Sequence, residues 1–290
     1  LNLGSCAKIS ACMILTVFYL ANDFIIVHDN SSFRCTVLLF PGYKIIFLNL
    51  KYSCDRGDKM AIFAISDLHL PLSVDKPMDV FGERWRNYVE RMQSNWQKIV
   101  GADDIVIMPG DISWATYLDD SVADFEYINN LNGTKVILKG NHDYWWTTMN
   151  KLNNFLERKD FNTIKFIHNN AFMYGRTAIC GTRGWNIAGE NSSEEDKRIF
   201  LREKQRLILS LEDAKRNNSE EIIVAMHYPP VEIGGQNLEF IDIMKEYGVK
   251  KCIYGHLHAA AQKFARQGDV NGVNLSLVSC DFLNFIPKLV

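Results

Sequence analysis

Five times between Ala61 and His258 a short apolar run stops at a cluster of Gly, Asp, Asn or His, and this repetition constrains the fold more than any other feature. Ala61–Ser66 leads into Asp67 and His69, and Asp104–Pro109 into Gly110-Asp111. Lys135–Lys139 leads into Gly140-Asn141-His142-Asp143, Glu221–His227 ends on its own histidine, and Lys251–Tyr254 leads into Gly255-His256-Leu257-His258. The runs have the length and composition of buried strands. Between them lie helical patterns: Arg84–Val100 places Trp85, Tyr88, Val89, Met92, Trp96 and Ile99 at three- and four-residue steps, and Leu118–Leu131 and Thr147–Arg158 read likewise. Strand and helix in alternation make an α/β domain. In such a domain the carboxyl edge of the strands is where reacting groups collect.

The remaining chain continues the pattern. Ile164–His168 and Ala171–Tyr174 flank Asn169-Asn170 and read as a hairpin, with Thr177–Cys180 as the following strand. A long polar helix spans Ser193–Arg216, opened by a capping-box-like Ser192-x-x-Glu195. Val273–Cys280 supplies a last strand. Neither a repeat nor a linker divides residues 60–290, which read as one domain.

Residues 1–59 differ from the rest in containing no Glu, Gln or Trp. Their most apolar run, Ile9–Asn22, falls short of the roughly 20 residues that span a bilayer. Met60 stands directly before the first convincing strand, so the native domain is expected to begin there, with 1–59 a dispensable extension or a mis-assigned start. The seven cysteines form no CxxC pair and no regular framework, which points to a reducing, cytoplasmic setting. A net charge of −2 supplies no basic face, so a nucleic-acid partner is not favoured and no membrane partner is expected.

Asp carboxylates, imidazoles and an Asn carbonyl, with no thiolate, suit divalent ions such as Mn, Fe or Zn. If strand alternation continues, the i, i+2 pairs Asp67/His69 and His256/His258 each put two ligands on one side. Seven donors (Asp67, His69, Asp111, Asn141, His227, His256, His258) exceed what one catalytic ion with an open position needs, and suit two ions sharing a carboxylate. Five of the seven histidines fall in these motifs; His28 and His168 do not.

Asp-x-His, Gly-Asp, Gly-Asn-His-Asp, a lone His and Gly-His-x-His, in this order, resemble the signature of the calcineurin-like metallophosphoesterases over about Ala61–Cys280. The resemblance implies a four-layer α/β/β/α sandwich of two mixed β-sheets with flanking helices. It implies that Asp67, His69 and His258 hold one ion, that Asn141, His227 and His256 hold a second, and that Asp111 bridges them. A hydroxide bridging the two ions would attack phosphorus, and His142 would protonate the leaving group or steady a phosphate oxygen. Asp143 would orient His142.

Phosphoprotein phosphatases of that superfamily continue Gly-Asp with Val-Asp-Arg-Gly and end the next motif in Glu. Here Gly110-Asp111 runs into Ile112-Ser113-Trp114, and Asp143 replaces the Glu, which argues against a protein substrate. A small or nucleotide-like phosphoester is the expected substrate, with a nuclease acting on DNA or RNA ends and a non-catalytic scaffold as the competing readings. Trp114, Tyr144, Trp145, Trp146, Trp185 and Tyr228 lie near the ligands in sequence and wall a pocket or pack the core, while Arg183 is a candidate phosphate clamp.

Overall fold

The computed structural model describes residues 24–28, 35–39, 60–186, 192–231 and 237–290. The chain divides into two compact units, Leu1–Lys59 and Met60–Val290. In the first, β1 (Phe24–His28) pairs antiparallel with β2 (Cys35–Leu39), with Phe24 opposite Leu39 and His28 opposite Cys35.

The second unit runs β3 (Ile62–Ala64), α1 (Tyr88–Ile99), β4 (Ile105–Met108), α2 (Val122–Asn130), β5 (Thr134–Ile137), α3 (Met149–Arg158), β6 (Ile164–Phe166). It continues with β7 (Phe172–Tyr174), β8 (Thr177–Thr182), α4 (Glu194–Arg216), β9 (Glu221–Met226), α5 (Glu239–Glu246), β10 (Lys251–Tyr254), β11 (Gly268–Val270), β12 (Val273–Leu277) and β13 (Lys288–Leu289). One sheet has the order β13-β3-β4-β5-β6, and the other β11-β12-β10-β9-β8-β7. Strands β3 to β6 are parallel, as are β8, β9, β10 and β12, while β13, β11 and β7 add antiparallel edges. Both sheets are therefore mixed.

Strand periodicity builds the layers. In β4, Ile105 and Ile107 face a core between the sheets, whereas Val106 and Met108 face the helices. In β9, Ile223 and Ala225 join that same middle core, and Val224 and Met226 pack against the other helical layer. Successive side chains point to opposite faces of a strand, so a strand buried on both faces must be apolar throughout. The result is the helix–sheet–sheet–helix sandwich. An isolated bridge from Ser66 to Ser279 ties the end of β3 to the end of β12.

Three expectations are corrected. The hairpin at Asn169-Asn170 does not form: β6 pairs with β5 in one sheet and β7 with β8 in the other, so the chain crosses between sheets there. Asn169, at φ 65°, turns the crossing. The helix expected from Arg84 starts at Tyr88, because Arg86 is extended and Asn87 is left-handed. Ser193 caps α4 instead of Ser192; its hydroxyl accepts from Asp196 N at 3.1 Å, one residue past the expected box. None of the described helices is long and apolar enough to cross a membrane.

Candidate metal centre

All five motifs lie on the carboxyl side of parallel strands: Asp67 and His69 after β3, Asp111 after β4, Asn141 and His142 after β5, His227 after β9, His256 and His258 after β10. The chain does not continue there as strand. Asp67, His69, Asp111 and His256 have φ of 59°, 46°, 53° and 71°, in the left-handed region that costs an ordinary residue energy. Backbone bonds from Asp67 N to Gly110 O (2.9 Å) and from His69 N to Asp111 O (3.0 Å) lock two of these turns together. Strand alternation is therefore not what brings Asp67 and His69 to one side, contrary to the expectation from their spacing; the left-handed turns do it. The turns approach so closely that a Cβ on Gly140 would strike Asp111, and one on Gly255 would strike Asp67 and Ser66.

Two sets of donor atoms converge. In one, His258 Nε2 lies 3.2 Å from Asp67 Oδ1 and 3.3 Å from His69 Nε2. In the other, Asn141 Oδ1 lies 2.6 Å from His227 Nε2 and 2.9 Å from His256 Nδ1, and the two ring nitrogens are 3.3 Å apart. Asp111 Oδ2 stands between the sets, 3.7 Å from His69 Nε2 and 3.5 Å from His227 Nε2. An ion with bonds of about 2.0–2.2 Å separates its ligands by about 3 Å, so the spacings match edges of a coordination shell. By proximity of carboxylates and imidazoles alone, Asp67 joins both groups, Asp67–His69–His258 and Asp67–Asp111–His227. Its approach to His227 is at Nδ1, 3.9 Å away, the nitrogen that faces Pro109 O at 2.9 Å. Asp111 instead faces the ring nitrogens that point inward.

Tautomers decide whether the residues fit a cation. With Nδ1–H of His227 donating to Pro109 O, Nε2 carries a lone pair and meets the Asn141 oxygen. His258 Nδ1 lies 2.9 Å from Asp281 Oδ1, so its Nε2 in turn presents a lone pair to Asp67 and His69. In these tautomers the neutral rings turn lone pairs toward the carboxylates and the Asn141 oxygen, an arrangement that a cation between them would balance, and the donor set suits divalent ions. The residues fit a divalent cation.

Electrostatics agree. Burial alone would raise the Asp67 pKa, but His258, His227 and His69 overcome it and hold the carboxyl well below the usual range. Burial, then repulsion from Asp67, pushes Asp111 up to about 8. Burial would lower His258, yet Asp67 and Asp281 drive it up to about 10, so a proton on Nε2 takes the place that a divalent cation would otherwise fill. Burial lowers His69 and His227, and with help from His227 brings His256 down to about 4.

His142 is half-buried, outside both donor sets. Its backbone N–H donates to Asp111 Oδ1 at 2.8 Å, and its ring Nδ1 lies 3.4 Å from the Tyr144 hydroxyl. Asp143 does not orient that ring. Oδ2 accepts from Asp111 N (2.9 Å) and Gly140 N (2.7 Å), and Oδ1 from Ile112 N (2.8 Å) and Trp145 Nε1 (3.1 Å). Fully buried, it staples the Asp111 turn to the Asn141 turn.

The aromatic run divides. Trp114 stacks on His69, ring centres 4.6 Å apart, and Lys76 Nζ lies 3.1 Å over the Trp114 ring. Tyr228 lies against His256 at 4.2 Å, with Trp185 behind it at 5.3 Å. Trp145 is core, whereas Tyr144 is exposed. Arg183 turns its guanidinium to Glu203 at 3.5 Å and over Trp185 at 4.6 Å, engaged away from the ligands. Asp281 went unread in the sequence, although it follows β12 on the same edge, where the rule that flagged the other ligands applies. Lys76 carried no signal, lying in an irregular stretch far from any motif.

A family model described as calcineurin-like phosphoesterase matches residues 60–260. The solved structure of a protein of unknown function from Aquifex aeolicus is similar over 80% of this chain and 96% of its own, at 13% identity and a TM-score of 0.43. One from Thermus thermophilus is similar over 80% of this chain and 99% of its own, at 12% identity and a TM-score of 0.47. No curated protein matches the sequence.

Proposed function

The chain belongs to the calcineurin-like phosphoesterase family, and we propose that it hydrolyses a phosphomonoester or phosphodiester using two divalent cations, manganese, iron or zinc. The convergence of lone pairs from His227 and His258 onto Asn141, Asp67 and Asp111 carries this reading. Asp67, His69 and His258 would hold one ion and Asn141, His227 and His256 the other, with Asp111 placed to serve both. When bound, such a pair makes hydroxide available near neutral pH and neutralises charge on the phosphate oxygens.

The chain's own residues orient and transfer. Pro109 O and Asp281 fix the tautomers of His227 and His258 so that Nε2 of each points inward. Trp114 covers the outer face of His69 and keeps water from its ring. His142 has one nitrogen toward Tyr144 and the other free to protonate the leaving oxygen. Lys76, on the Trp114 face, adds positive charge at the mouth, where phosphate enters.

The test is hydrolysis of generic aryl phosphate monoesters and diesters with Mn²⁺, repeated with a chelator. Metal-dependent turnover of either supports the reading. Turnover of neither, by protein that binds the metal, would leave a scaffold.

A further inference from the structure

We propose that the cleft beside His142 binds the nucleoside part of a nucleotide phosphoester, an inference that rests on the phosphoesterase reading. Two segments wall the cleft, Thr116–Asp119 and Tyr144–Thr147, with α3 closing the far side. Each is the direct continuation of a ligand-bearing turn, at Asp111 and at Asn141. The cleft measures about 640 Å³, within the roughly 300–1,000 Å³ typical of small-molecule sites.

Tyr144 joins the cleft to the chemistry. Its ring lines the cleft, while its hydroxyl lies 3.4 Å from His142 Nδ1, and the His142 ring is 5.8 Å from that of His69. A ligand stacked on Tyr144 therefore has its next substituent beside the proton donor and the first donor set.

The lining chooses among ligands. Tyr117 and Tyr144 are 70% and 62% exposed, and Trp146 stands with them. Large rings left open to water beside a catalytic site offer faces for a planar ring, and every nucleobase has such a face. Thr147 and Asn154 provide hydrogen-bonding groups for a base edge or a sugar. Arg158 is engaged by Asp119 at 3.1 Å, which leaves Lys151 as the cleft's cation outside any ion pair among the described residues. An acyl chain would leave these polar groups facing hydrocarbon, which is unfavourable.

The experiment compares two diesters with the same leaving group, the p-nitrophenyl ester of thymidine 5′-monophosphate and methyl p-nitrophenyl phosphate, with Mn²⁺. Alongside it, calorimetry measures thymidine 5′-monophosphate binding without added metal. The expected result is a kcat/KM at least about tenfold higher for the nucleoside ester, the factor one stacked base supplies. Tyr117→Ala and Tyr144→Ala should shrink that preference and weaken thymidine 5′-monophosphate binding at least about tenfold. Both rings project into solvent, so circular dichroism of the variants should match the parent. Equal turnover of both esters, or variants that leave the preference and the binding as they were, would overturn the cleft assignment while leaving the phosphoesterase reading intact. Hydrolysis of neither ester would remove the diesterase half of that reading and leave the monoesterase half to the aryl phosphate assay, and calorimetry would still decide the cleft: no binding of thymidine 5′-monophosphate sinks it.

Discussion

Asp281 grips the back of His258: its Oδ1 lies 2.9 Å from the ring Nδ1, while Oδ2 accepts from the Gln262 amide at 2.7 Å and from Ala259 N at 3.2 Å. The carboxylate is buried, and among the described residues these are its hydrogen bonds. It sets the His258 tautomer and the angle at which Nε2 points to Asp67. Replacing Asp281 by Ala should weaken one of the two proposed ions about 10- to 100-fold and leave the other unchanged. Calorimetric titration with Mn²⁺ would resolve the two sites, and an equal loss at both would contradict the assignment of His258 to one ion.

Asp111 differs, because Oδ2 faces His69 and His227 at 3.7 and 3.5 Å while Oδ1 is fixed by His142 N. Asp111→Asn removes the charge shared by both donor sets. Both ions should loosen together and metal-dependent turnover should vanish. Elemental analysis after gel filtration decides the matter: one ion kept at full occupancy would assign Asp111 to a single site.

Much of this centre was legible because it rests on local rules. Strands buried on both faces must be apolar, so Ile105–Met108 and Glu221–Met226 stand out, and the polar residue that ends each run marks the sheet edge. Nothing local says which sheet a strand will join. Phe166 and Phe172 are close in sequence, yet they pair with β5 and β8, since each completes a different edge. Nor does composition reveal that Asp67 and His69 turn left-handed; that conformation is imposed by hydrogen bonds to Gly110 and Asp111, more than forty positions on. Asp281 belongs to no motif, and only its place after β12 would have drawn notice.

Asp143 shows how a motif residue acquires a different duty once packed. Four N–H groups converge on it, and none belongs to the His142 ring. Asp143→Asn turns one carboxylate oxygen into an amide that confronts N–H donors. The expected cost is about 2–4 kcal/mol of stability, from one or two buried donors left unsatisfied. His142→Ala should instead leave stability and both ions intact and slow turnover about 10²- to 10⁴-fold. Urea unfolding of the two variants separates the roles; a stable Asp143→Asn protein would show that the staple contributes little.

Alkaline stability tests the sheet core away from the metals. Cys180, in β8, is buried with Sγ 3.3 Å from Ser210 O, and burial pushes its thiol up to about 12 from an ordinary value near 9. Between those values the native protein keeps a proton that the unfolded chain has lost. Stability from this group is therefore complete below about pH 9 and is lost as pH rises toward 12, by at most about 1.4 kcal/mol per unit. Cys252, Tyr127 and Tyr254 are raised by burial and act in the same sense, so the whole fold should weaken in alkali. Cys180→Ala isolates one contribution. The gap in unfolding free energy between parent and variant should hold constant from pH 7 to 9 and narrow at pH 10 and 10.5. Parallel profiles across that range would mean that the thiol ionises in place, with water reaching β8.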